Sequence, residues 1–152
     1  MSTRPKKLTT VLRRLNKIDA INIGGCGISA LAIYRWCKKN DIKVDDRPFI
    51  FLWRDGYEWE STHNEECLEN GELKSVEVPA HVIIELGNGI YDSKGEAGND
   101  LSFPIQQGYQ LNEDELLVII NNIDKWNSFF RRSRAIPTIE QALGINLSDV
   151  DR

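Results

Sequence analysis

Leu8, Val11, Leu12, Leu15 and Ile18 recur at the spacing of one helix face. This predicts an amphipathic helix over 8–18, with Thr9 or Thr10 as its N-cap. After Gly24-Gly25 the run from Cys26 to Cys37 holds only Ser29 and Arg35 as clearly polar residues. A helix that is apolar nearly all round sits at the centre of a domain; Asn40 and Asp41 suit its end. The β-branched and aromatic segment PFIFLW, Pro48 to Trp53, predicts a strand. From Arg54 to Lys74 the chain is polar and carries no pattern that assigns it.

From Ser75 to Gly95 two apolar runs flank Asn88-Gly89, the strongest short hairpin signal, so strand, turn, strand is expected. The stretch LNEDELLVIINNIDKWNSFFRRSR opens with a capping box, Asn112 with Glu115. Acids in its first turn and Arg131, Arg132 and Arg134 at its end suit the helix dipole, so one long helix is expected. A short last helix over 138–143 should stop at Gly144. Helices first, a small antiparallel sheet in the middle and helices last give an α+β fold in one domain spanning 1–152.

Composition narrows the class more than the chemistry. Hydrophobic residues at 41% and charged residues at 28% are ordinary for a folded chain. A net charge of −4 gives no reason to expect nucleic acid as a partner. Arg4, Lys6, Lys7, Arg13, Arg14 and Lys17 form a local basic stretch, read as one solvated helix face. No segment approaches the roughly 18 apolar residues of a membrane span, and no signal peptide is recognised, so no membrane partner and a cytoplasmic location are expected. Three cysteines then read as reduced thiols.

One of those thiols stands in the stretch NIGGCGISALAIYRW. A cysteine in the first turn of a helix feels the positive end of the dipole, which favours the nucleophilic thiolate. Gly25 and Gly27 leave room for a substrate, and the Cys26 backbone N–H can hold the oxyanion of an attacked carbonyl. A thiol nucleophile needs a base, and the chain has two histidines. His63 lies in the polar segment, whereas His81 opens the run Val82, Ile83, Ile84, and a base on a strand is the better positioned.

GGCGISALAIYRW followed by HVIIELGNGIYD resembles the papain-like and transglutaminase-like cysteine enzymes, and both stretches are similar to small proteins of tailed bacteriophages. The resemblance implies a papain-like fold, a central cysteine-bearing helix packed on a small antiparallel sheet. By position it implies Cys26 as nucleophile, His81 as general base and acid, and Asp92 as the orienting carboxylate. It also implies a protein or peptide substrate and, if the chain is viral, the host cytoplasm. The family's glutamine before the nucleophile is missing, so Asn22 or backbone N–H groups alone would complete the oxyanion hole, although Asn22 also suits a helix N-cap.

Register bears on the acid. If Asn88 and Gly89 are the central turn residues, Asp92 lies across from Glu85, on His81's face but roughly 13 Å along it, and Glu96 lies directly across from His81. A longer turn displaced toward Leu86, or a bent strand, would favour Asp92. Asp92 therefore ranks first on resemblance and Glu96 second on register.

The remaining candidates read structurally. HNEEC, from His63 to Cys67, lacks the CxxC or histidine pair of a zinc site, and no nucleotide loop is present, so no metal or cofactor is implied. Cys37 reads as core. Trp53, with Tyr57 and Trp59, stands where it would line a substrate groove or the core; Trp126, Phe129 and Phe130 keep core spacing. The leading expectation is a cysteine-dependent hydrolase, a peptidase, amidase or isopeptidase, or an acyl transferase. The alternative is a non-catalytic protein of the same fold that binds a host protein.

Overall fold

The computed structural model describes residues 5–18, 21, 25–52, 81–87, 89–92, 95–96, 109–122 and 130–151. Helix α1 (Leu8–Asn16) buries Val11, Leu12 and Leu15, the stripe its periodicity requires. Its N-cap is Lys7, so Thr9 and Thr10 lie inside the first turn and neither caps it. Helix α2 (Cys26–Lys39) buries ten consecutive or near-consecutive positions from Cys26 to Cys37, as an apolar helix at the centre of a domain must. Asn40 closes it: the side chain donates to Trp36 O at 2.8 Å, and Asp41 follows at φ 58°.

Strands β1 (Phe49–Leu52), β2 (His81–Leu86), β3 (Gly89–Asp92), β4 (Gly95–Glu96) and β5 (Tyr109–Leu111) form one antiparallel sheet in the order β4-β3-β2-β1-β5. Phe49 pairs with Ile84 on one side and Leu111 on the other. Phe49, Val82, Ile84, Leu86 and Leu111 belong to the same hydrophobic cluster as α2, whereas Ile50 and Ile83 are buried outside that cluster. Strand alternation thus gives α2 one face of the sheet. Tyr34 of α2 rests on Phe49 with ring centroids 5.2 Å apart.

Helix α3 (Glu113–Asn122) begins as expected: Asn112 N donates to Glu115 Oε1 at 2.9 Å and Glu115 N to Asn112 Oδ1 at 2.8 Å. The expected continuation to Arg134 does not occur. Arg131 is extended and serves as N-cap of a separate helix, α4 (Arg132–Leu143), so Arg132 and Arg134 open one helix instead of closing another. The reason is tertiary. Phe130 is 4% exposed against Gly25 of the α2 head, and the buried Arg132 turns back to donate to Ile120 O of α3 and Asp151 O. Pro137 therefore falls inside α4 and does not precede its start. Gly144 ends the helix at φ 68°, the left-handed cap expected of it. Arg4, Trp53, Tyr57, Trp59, His63, Cys67, Trp126 and Phe129 lie outside the described residues.

Candidate functional site

Cys26 is the first residue of α2, and its N-cap, Gly25, has no side chain with which to cap the helix. The first intrahelical bond of this end runs from Ser29 N to Gly25 O at 2.8 Å. The backbone N–H groups of Cys26, Gly27 and Ile28 thus belong to the turn that an α-helix leaves without internal acceptors. The N-cap position is held by Gly25 and not by Asn22, which lies outside the described residues. Cys26 itself is 8% exposed.

The glycines around the thiol have a packing role. A Cβ on Gly25 would stand 2.7 Å from Ile21 O and 2.7 Å from Phe130 Cε1. Gly25 is needed so that the phenyl ring can close on the helix head, and the ring and the Ile21 carbonyl fill the space that a Cβ would take. Gly27 is likewise buried. Trp53, the third residue expected in a substrate groove, lies outside the described residues.

His81 is the first residue of β2, paired with Leu52 at the end of β1. Its register position is that of Ile83 and Glu85, which alternate with the α2-facing Val82, Ile84 and Leu86. The hairpin that follows is closed by Leu86 and Gly89. Its connection is therefore Gly87 with position 88, one residue earlier than Asn88-Gly89, and Gly87 at φ 44° supplies the left-handed first position of a two-residue hairpin.

That one-residue displacement moves both candidate acids. With Ile84 across from Tyr91, the next step of the register sets Asp92 across from Ile83. It keeps the face of position 81 and lies two residues along from His81, not four: a diagonal neighbour at about 7 Å. Glu96 is corrected in the opposite sense. It pairs with Tyr91 on β4, with β3 standing between it and β2, and is not across from His81.

At the other end of α2, burial among apolar neighbours pushes the Cys37 thiol up to about 11. Beside it is a cluster that sequence spacing did not reveal. Arg35 donates through Nε to Glu113 at 2.9 Å, and through Nη1 and Nη2 to the two Asp149 oxygens at 2.6 and 2.7 Å. These side chains line an open cleft of roughly 620 Å³ with Tyr34, Lys38 and Asn146. The cleft does not include Cys26. Its only sequence signal was a lone arginine in an otherwise apolar helix.

Among the described residues no group of three or more His, Cys, Asp or Glu side chains is placed to hold a metal ion, and no helix is long and apolar enough to cross a membrane. No family model, curated protein or solved structure matches the chain.

Proposed function

We propose that the chain is a cysteine-dependent hydrolase of papain-like architecture, acting in the cytoplasm on an amide, peptide or isopeptide bond of a protein or peptide, with acyl transfer as the variant in which an amine replaces water. The observation that carries the reading is the combination of a cysteine at a helix head with a histidine opening the strand against which that helix packs, and an aspartate diagonal to the histidine on the next strand. The Tyr34–Phe49 contact anchors α2 on the sheet. Cys26 lies about 12 Å from that anchor along the helix, and His81 about 10 Å along the strand. The two residues thus have similar reach from the anchor, although position 81 holds the register of the face turned away from α2.

In this mechanism the Cys26 thiolate forms a bond to the carbonyl carbon, and the oxyanion is held by the first-turn N–H groups. The imidazolium of His81 gives its proton to the leaving amine as the C–N bond breaks. Neutral His81 then takes a proton from water, whose oxygen attacks the thioester and releases the acid and the thiol. Asp92 orients the imidazole.

A second reading is favoured by two observations: position 81 shares the register of the sheet face turned away from α2, and Phe130 occupies the space above Gly25. On this reading the fold is kept without catalysis, and the chain binds another protein; the tailed-phage resemblance makes that a host protein. Iodoacetamide labelling across pH, followed peptide by peptide, separates the two. The enzyme requires Cys26 to label at mildly acidic pH and His81→Ala to move its profile to higher pH. A Cys26 profile at the reference value of about 8.5 that His81→Ala leaves in place defeats the enzyme and leaves the binding protein.

A further inference from the structure

Ser29 is 1% exposed, and its Oγ has no hydrogen-bond partner among the described residues. A buried hydroxyl in that condition is destabilising, and a helical serine ordinarily relieves it by donating to the carbonyl four residues back. Here Gly25 O accepts from the Ser29 backbone N at 2.8 Å and the hydroxyl makes no such bond. Ser29 follows Cys26 by three residues, so the two side chains share a helix face with their Cβ atoms about 5–6 Å apart. Helical Cα–Cβ bonds tilt toward the N-terminus, which leans the hydroxyl over the Cys26 turn.

We infer that Ser29 is a positioning residue whose hydroxyl donates to the Cys26 sulfur once that sulfur is ionised. The inference rests on the cysteine-enzyme reading only in taking Cys26 as a thiol that ionises to react. A neutral thiol is a weak acceptor and a thiolate a strong one, so the hydroxyl gains its partner in the reactive state. Three charged groups on the other elements packed against α2 bond to groups other than Cys26. Arg14 of α1 donates to Ala142 O, Glu113 of α3 accepts from Arg35, and Arg132 of α4 donates to Ile120 O. On the sheet, Tyr91 packs on the cluster with α2, while Glu85 and Asp92 hold the register of the far face, as position 81 does.

The test is the pH profile of Cys26 alkylation by iodoacetamide in the whole chain, in which the sulfur forms the S–C bond and iodide departs. Ser29→Ala should slow labelling near neutral pH about tenfold, equivalent to one pKa unit, and leave the rate at high pH unchanged. Its melting temperature should be equal or higher, because an unsatisfied hydroxyl has been removed. Ser29→Thr, which keeps the hydroxyl, should hold the wild-type profile. A Ser29→Ala profile that overlays the wild type, or one that falls equally at every pH, overturns the inference. His81→Ala keeps the two ideas apart: a shift with Ser29→Ala alone supports Ser29 and sinks the enzyme, and a shift with His81→Ala alone does the reverse.

Discussion

Replacing Arg35 with Met removes a guanidinium that joins α2, the start of α3 and the C-terminal segment while keeping most of its stem. The pair with Asp149 is bidentate, at 2.6 and 2.7 Å, with further bonds to Glu113 and to Asn146 O, both at 2.9 Å. Solvent weakens this geometry, since the side chains of Arg35 and Asp149 are 17% and 49% exposed. Freely exposed ion pairs contribute about 0–1 kcal/mol, and hydrogen bonds to charged groups about 1.5–3 kcal/mol. A half-shielded bidentate pair belongs between them, at a coupling of about 1–2 kcal/mol. The whole Arg35→Met change should cost about 2–3 kcal/mol, or roughly 4–10 °C in melting temperature. Urea unfolding of wild type, Arg35→Met, Asp149→Asn and the double variant gives the coupling directly.

The coupling has a pH signature. The hydrogen bonds from Arg35 hold the Asp149 carboxyl below its ordinary range. A depressed carboxylate stabilises the fold above its unfolded-state value near 4, and that contribution is lost as pH falls through the lower folded value. The coupling should therefore be full at pH 7 and shrink in acid. A value under about 0.3 kcal/mol at pH 7 and low salt, or one indifferent to acid, would show that the cluster is an ordinary screened surface pair.

Gly25→Ala should destabilise by about 1–3 kcal/mol in thermal melts, because its Cβ meets Ile21 O and Phe130 Cε1 at 2.7 Å; Phe130→Leu in the same chain should recover part of the loss, and no recovery would mean that the carbonyl contact dominates. Asp92→Asn should slow Cys26-dependent turnover by orders of magnitude while Glu96→Gln leaves it near wild type, since only Asp92 shares position 81's face beside β2; the opposite ranking in an amidase assay would sink the register argument. Cys37, pushed up to about 11 and 0% exposed, should resist iodoacetamide until the chain unfolds. Its raised value means stability is kept below the unfolded thiol's value and lost as pH rises toward 11, so Cys37→Ala should flatten the decline of unfolding free energy between about pH 9 and 11.

Features whose cause lies within a few residues were legible in the chain itself. The reciprocal bonds of Asn112 and Glu115, the left-handed stop at Gly144, the stripe of α1 and the opening of α2 at Cys26 each depend on backbone groups no more than one turn away. The α+β order followed, because runs of period 3.6 and of β-branched residues report which face each element buries.

What depends on residues far apart was decided by packing. Asn88-Gly89 and Gly87-Asn88 are both competent turns, and the hairpin's choice between them comes from setting Ile84 beside Phe49 and Tyr91 under α2. That choice moved Asp92 toward His81's position and took Glu96 away. The break at Arg131 was illegible because periodicity runs up to it, while Phe130 closes on Gly25 and Arg132 reaches back to Ile120 O. Arg35, Glu113 and Asp149 gather from three separate segments. A sequence pattern records which side of an element is apolar, but only the folded chain determines which distant group arrives on that side, and Gly25 turned out to be small for the sake of a ring 105 residues downstream.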